Sequence, residues 1–303
     1  MNVLRTPDEA FASLPNYPYA PHYTEVNDCD GGLLRIHHVD EGPPDAAETV
    51  LLMHGEPSWS YLYRHMIPVL NGAGLRTVAP DLVGFGRSDK PADPADHTYE
   101  RQVVWLQQWL DSNQLSNLTL VCQDWGGLIG LRLVASNPDR FRRIVVANTG
   151  LPTGDRPPTD GFLRWQRFAQ TTPEFDCGVV VAMGCVAPLS DEVIAAYNAP
   201  FPDDTFLAGP RTLPSLVPTS PDDPSAEPNR RAWSTLEHFH GPTLIAFSDS
   251  DPVTRGGDGI FHKIPGSIGQ PHRVVERAGH FLQEDRGPEF AQMVIDFIAS
   301  TSE

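Results

Sequence analysis

The segment Val121-Cys122-Gln123-Asp124-Trp125-Gly126-Gly127 joins an apolar run to a second apolar stretch of helical character. A strand that turns sharply into a helix needs small residues around the corner, and Cys122, Gly126 and Gly127 supply them. Such a nucleophile elbow lifts one side chain above the sheet edge, beside the positive end of the helix. Here that side chain is Asp124. A carboxylate is ionised at neutral pH and needs no base to make it a nucleophile. No G-x-S-x-G pentapeptide occurs in the chain, so the serine version of this chemistry is excluded. Taken alone, Asp124 reads equally well as a helix N-cap.

Two further pieces favour chemistry. His54-Gly55-Glu56-Pro57 follows the run Thr49–Met53, where a loop can turn backbone N–H groups toward the elbow. It would form half of an oxyanion hole, the other half being the N–H after the nucleophile. Late in the chain, Asp249-Ser250-Asp251-Pro252 follows Thr243–Phe247, and Ala278-Gly279-His280-Phe281 follows His272–Val275. Each group thus lies past the carboxyl end of an expected strand, where open α/β sheets place their sites. His280 is the best candidate base, and Asp251 is preferred to Asp249 as its acid partner. The order nucleophile, acid, histidine is that of α/β-hydrolases.

The elements that must position these residues are legible as alternating patterns. Strands are expected at 34–39, 49–53, 76–81, 118–122, 144–147, 243–247 and 272–275. Helices are expected at 60–70, 99–110, 127–135 and 288–299, the last with Pro288 near its first turn. This alternation implies an α/β fold: a mostly parallel, doubly wound sheet with helices on both faces. Residues 151–220 break the pattern, being Pro-rich with helical pieces at 161–169 and 191–197. They read as a helical cap inserted in a core of residues 1–150 and 221–303, with 218–228 as the linker back to the sheet.

Composition narrows the partners. Lys and Arg number 22 against 39 Asp and Glu, a net charge of −17. No basic stripe is present, so nucleic acid is excluded, and anionic membranes are repelled. The charge suits a neutral substrate or release of an anionic product. Cys29, Cys122, Cys177 and Cys185 show no metal or redox spacing. No secretory leader and no membrane-spanning run is seen. A cytoplasmic monomer with free thiols and no cofactor is expected.

The chain resembles the haloalkane dehalogenases, in the branch whose halide site is built from two tryptophans. The resemblance rests on 54–63 (His-Gly-Glu-Pro-Ser-Trp-Ser-Tyr-Leu-Tyr), on 81–91 (Asp-Leu-Val-Gly-Phe-Gly-Arg-Ser-Asp-Lys-Pro), and on Gln123-Asp124-Trp125-Gly126-Gly127. Arg5-Thr6-Pro7-Asp8, the cap stretch Ala199-Pro200-Phe201-Pro202, and Gly279-His280-Phe281-Leu282-Gln283-Glu284 also match. It spans nearly the whole chain and is weakest in the cap. It implies a small neutral halogenated hydrocarbon as substrate, with attack by Asp124 on the halogen-bearing carbon and an alkyl ester on Asp124. Water activated by the pair His280–Asp251 would then hydrolyse the ester. The backbone N–H groups of Glu56 and Trp125 would hold the oxyanion, and the indole N–H groups of Trp125 and Trp165 would hold the halide. Packing in the cap core is the other reading of Trp165. Trp105 and Trp109, four apart on a helix, are better explained by packing. Another dehalogenase branch has Asn in place of Glu56. An ionised Glu56 cannot hold a halide, so it is expected to face the hydrolytic water or a hydrogen-bonded network.

The nearest rival is an epoxide hydrolase, which needs a pair of cap tyrosines to protonate the leaving oxygen. Between residues 151 and 220 the only tyrosine is Tyr197. Fluoroacetate dehalogenases carry arginines after the nucleophile, where this chain has Trp125-Gly126-Gly127. A ligand-binding relative without activity is a further reading, but such proteins usually lack a triad member.

Overall fold

A computed structural model describes residues 1–302. The strands β1 (His22–Asn27), β2 (Leu33–Glu41), β3 (Thr49–Met53), β4 (Arg76–Pro80), β5 (Leu118–Gln123), β6 (Phe141–Ala147) and β7 (Thr243–Ile245) form one sheet. Its order is β1-β2-β4-β3-β5-β6-β7. The β1–β2 and β2–β4 pairings are antiparallel. From β4 across to β7 the pairing is parallel.

Strands covered on both faces read as near-continuous apolar runs. All five residues of β3 are buried. Leu51 and Met53 enter an apolar cluster with Leu120 and Cys122 of β5 on one face. Val50 and Leu52 join Val121 on the other. Helices α2 (Tyr99–Ser112), α3 (Trp125–Ser136) and α8 (Ala226–Leu236) contribute buried residues to the first cluster. Helices α1 (Ile67–Gly72) and α9 (Leu282–Ser300) contribute to the second. Trp105 and Trp109 are fully buried on α2, and the Trp109 indole donates to His38 Nδ1 at 3.2 Å.

Between β6 and β7 the chain leaves the sheet through α4 (Asp160–Thr171), α5 (Cys177–Met183), α6 (Asp191–Asn198) and α7 (Ala208–Leu216). Helix α4 packs on α7 and α5 packs on α6. Ala169, Phe175, Cys177, Val180 and Leu207 form a separate apolar cluster there. Helices α5 and α7 go beyond those legible in the sequence. The Cys-Gly-Val-Val-Val run of α5 has β-branched character, and α7 carries Pro214 inside it. Asp176 starts α5 by accepting the Val179 N–H at 2.8 Å.

Several expected elements differ. Residues 272–275 form no strand; only an isolated bridge joins Ser248 to Val275. The His272 imidazole accepts the Ile245 N–H at 3.1 Å, taking a place that a strand carbonyl would fill. The strand expected at 243–247 ends at Ile245. The helix expected at 60–70 divides into a 3-10 turn, Ser60–Tyr63, and α1. The final helical segment starts earlier, at Leu282, but it is two helices joined at Arg286 (φ −142°), and the second carries Pro288 in its first turn as expected. Proline has no N–H to continue a ladder, so it suits that restart. The expected linker at 218–228 ends inside the first turn of α8.

Candidate active site

Asp124 has φ 50° and ψ −127°, a backbone state that costs a non-glycine residue about 1–3 kcal/mol. Its surroundings hold it there. The Asp124 N–H donates to Asn148 O at 3.0 Å, and its carbonyl accepts the Gly127 N–H at 2.9 Å and the Thr149 hydroxyl at 2.7 Å. A Cβ on Gly126 would stand 2.0 Å from Met53 O, so β3 can approach the corner only because that residue is glycine. The Asp124 carboxylate makes no capping bond to α3. It turns toward the loop after β3, where the Glu56 N–H donates to Asp124 Oδ1 at 2.8 Å. That loop is fixed by His54, whose Nδ1 lies 2.9 Å from Gly55 O and whose Nε2 accepts the Leu82 N–H at 2.9 Å.

The His280 imidazole stands between two carboxylates. Its Nδ1 is 3.0 Å from Asp251 Oδ2, and its Nε2 is 3.5 Å from Asp124 Oδ2. Burial opposes a charge on the ring, but the Asp251 and Asp124 charges outweigh it and push the His280 pKa up to about 10. Burial also raises Asp251, yet His280 and the Thr254 and Val253 donors draw it down to about 2. Asp251 accepts the Val253 N–H at 2.7 Å and the Thr254 hydroxyl. Asp249 instead accepts the Arg277 N–H at 2.9 Å, which ties down the loop below.

A cavity of about 540 Å³ opens beneath the cap, with Glu56, Trp165, Phe168, Val180, Phe281 and His280 on its wall. Its lining is mostly apolar. Asp124 and Trp125 are not on this wall. Asp124 lies beside His280 with its side chain 18% accessible, and the Trp125 ring meets Tyr99 edge-to-face at 5.0 Å. Trp165 packs on Phe168 and Phe175, each with a centroid separation of 6.0 Å, while it lines the cavity. Among the described residues, Trp109 and Trp233 donate their indole protons to protein acceptors, and Trp125 and Trp165 do not. Trp59 and Trp105 are unpartnered too, but sealed in the core.

Glu56 Oε1 is buried without a hydrogen-bond partner. Burial, and then the Asp124 charge, push the Glu56 pKa well above the usual carboxylate range. Tyr197 is fully buried and donates to Glu284, away from the cavity wall.

Two residues here escape a reading by motif. Gln123 Nε2 lies 2.9 Å from His280 Nε2 and donates to His280 O at 3.2 Å. Asn148 Nδ2 donates to Ser248 Oγ, Gly279 O and His280 O at 2.8, 2.9 and 3.1 Å. Its position at the end of β6 was the available signal, but its partners come from segments a hundred or more residues away.

The strand-to-helix nucleophile corner, the sheet order and the late histidine define an α/β-hydrolase. The model of the α/β-hydrolase fold matches residues 48–180. A haloalkane dehalogenase of Psychrobacter cryohalolentis is 56% identical, covering 98% of each chain. One of Mycolicibacterium paratuberculosis is 49% identical, again covering 98% of each. The solved tetrameric haloalkane dehalogenase DpaA of Paraglaciecola agarilytica NO2 superposes with a TM-score of 0.88 at 37% identity, covering 97% of each chain. The chain belongs to the haloalkane dehalogenase family, and its reaction is the hydrolytic cleavage of carbon–halogen bonds.

Proposed function

We propose that Asp124 attacks the halogen-bearing carbon in an SN2 step, releasing halide and leaving an alkyl ester. Water activated by His280 then attacks the ester carbonyl; alcohol, halide and a proton leave. The observation that carries this reading is the line Asp124–His280–Asp251, with contacts of 3.5 and 3.0 Å on opposite ring nitrogens. Oxyanion stabilisation falls to the backbone N–H groups of Glu56 and Trp125. The contact from the Glu56 N–H to Asp124 Oδ1 supports the first of them. Tyr197, committed to Glu284, supports a dehalogenase over an epoxide hydrolase. All these residues come from one chain, so a monomer suffices for the chemistry. The four unpaired cysteines fit a reducing, cytoplasmic compartment.

Proton logic follows from the charges. In the resting enzyme the proton on His280 Nε2 faces the Asp124 carboxylate. Alkylation removes that charge, so the His280 pKa falls and the ring becomes able to accept a proton from water. The free-enzyme imidazole is expected to titrate near about 10 by NMR. Ester hydrolysis in a single turnover should lose rate as pH falls, with a midpoint below that value. Coincident midpoints would mean that Asp124 is not what holds the proton.

For the halide we assign Trp125 and Trp165, whose indole protons have no protein acceptor and accept no competing bond. Glu56 lies on the cavity wall with Oε1 unpartnered, and we assign it to face the hydrolytic water. Trp165→Phe keeps the aromatic packing and removes one donor to an anion. Chloride and bromide affinity, read from tryptophan fluorescence, should weaken about tenfold to a hundredfold. Unchanged affinity would remove Trp165 from the halide site.

A further inference from the structure

We propose that Asp285 is a positioning residue for the second half of the reaction: its carboxylate ties the inner wall of the cap to the turn that carries His280. The inference rests on the assignment of His280 as the base. Asp285 Oδ1 accepts the Ala187 N–H at 2.8 Å and the Val186 N–H at 3.0 Å. Its Oδ2 accepts the Val186 N–H at 2.9 Å and the Gly279 N–H at 2.8 Å. One side chain in the first turn of α9 thus holds two cap amides and the amide that precedes the base. Both segments border the substrate space, since Gly184, Cys185 and Val186 line the cavity together with Gly279, His280 and Phe281.

The two segments also meet directly. A Cβ on Gly279 would stand 2.2 Å from Gly184 O, so the cap backbone rests on the base's turn. On its other side the Gly279 carbonyl accepts Ser248 Oγ at 2.8 Å and Asn148 Nδ2 at 2.9 Å. The core therefore holds the carbonyl of Gly279 and Asp285 holds its N–H. In the cap segment Cys185 packs against the core, but Met183 is 72% and Val186 52% exposed. A stretch buried at so few points depends more on its polar ties. The adjacent Glu284 makes a second tie, its carboxylate bonding Tyr197 and Arg64 and not the amides around His280.

Attack by Asp124 needs no base, whereas ester hydrolysis needs His280 in register with a water. Loss of the Asp285 tie should spare the first step and slow the second. Bromide release from 1-bromobutane in Asp285→Ala, followed by rapid quench, is expected to keep a stoichiometric burst. The later hydrolysis rate should fall about ten- to a hundredfold, the cost of a small misplacement of a catalytic group. Asp285→Asn, which keeps one acceptor oxygen, should show the same pattern with a smaller loss and serves if the alanine variant does not fold. An unchanged hydrolysis rate overturns the proposal. So does a burst that shrinks in step with the steady-state rate, because that signals loss of folded enzyme only. His280→Phe run alongside separates the failures: if it hydrolyses its ester at the wild-type rate, the base assignment falls and the proposal with it.

Discussion

Asp124→Asn enzyme should release almost no bromide from 1-bromobutane, a fall on the order of 10⁴-fold or more in kcat. The reason is chemical. An amide oxygen carries no formal charge and is a poor nucleophile toward a tetrahedral carbon, and no other carboxylate is presented in its place. Asp251 is turned to His280 and the Thr254 loop, and burial disfavours the charged form of Glu56. Folding should survive, because an amide oxygen can still accept the Glu56 N–H that now donates to Asp124 Oδ1. A melting temperature close to wild type, together with lost halide release, is the expected pair. Substantial activity in a preparation shown by mass spectrometry to contain asparagine would remove Asp124 as the nucleophile.

His280→Phe should separate the two steps. Alkylation continues, halide appears once per site, and turnover then stops because nothing takes the proton from water. Steady-state release is expected to fall by about 10²–10⁴-fold, the usual contribution of a positioned general base. Intact-protein mass spectrometry should show the added alkyl group, and peptide mapping should place it on Asp124. Failure to trap an ester, with turnover still lost, would argue that His280 serves the first step as well.

The buried strands were legible because their composition has one cause. A strand covered on both faces favours apolar side chains at nearly every position, so β3 and β5 read clearly as near-continuous runs. The segment 272–275 misleads because its pairing with β7 fails where the His272 ring, and not a strand carbonyl, meets the Ile245 N–H. Helices α5 and α7 were illegible for a related reason. Their valines and prolines are poor helix formers, and packing within the cap overrides that preference. Asp249 and Asp251 are two residues apart on one loop. Only the folded loop turns Asp251 to the imidazole and Asp249 to the Arg277 N–H.

From its sequence alone, this chain sets out a carboxylate at a strand-to-helix corner, with glycines beside it, followed by an acid and then a histidine. Those features are local, dictated by backbone sterics and by the order of strands. The tertiary structure decided the proton affinities. Burial and the Asp124 charge push the Glu56 pKa up, and the Asp251 and Asp124 charges raise that of His280 against its burial, from segments far apart in the chain. Electrostatic energy depends on distance and on exclusion of water, and neither is written in residue order.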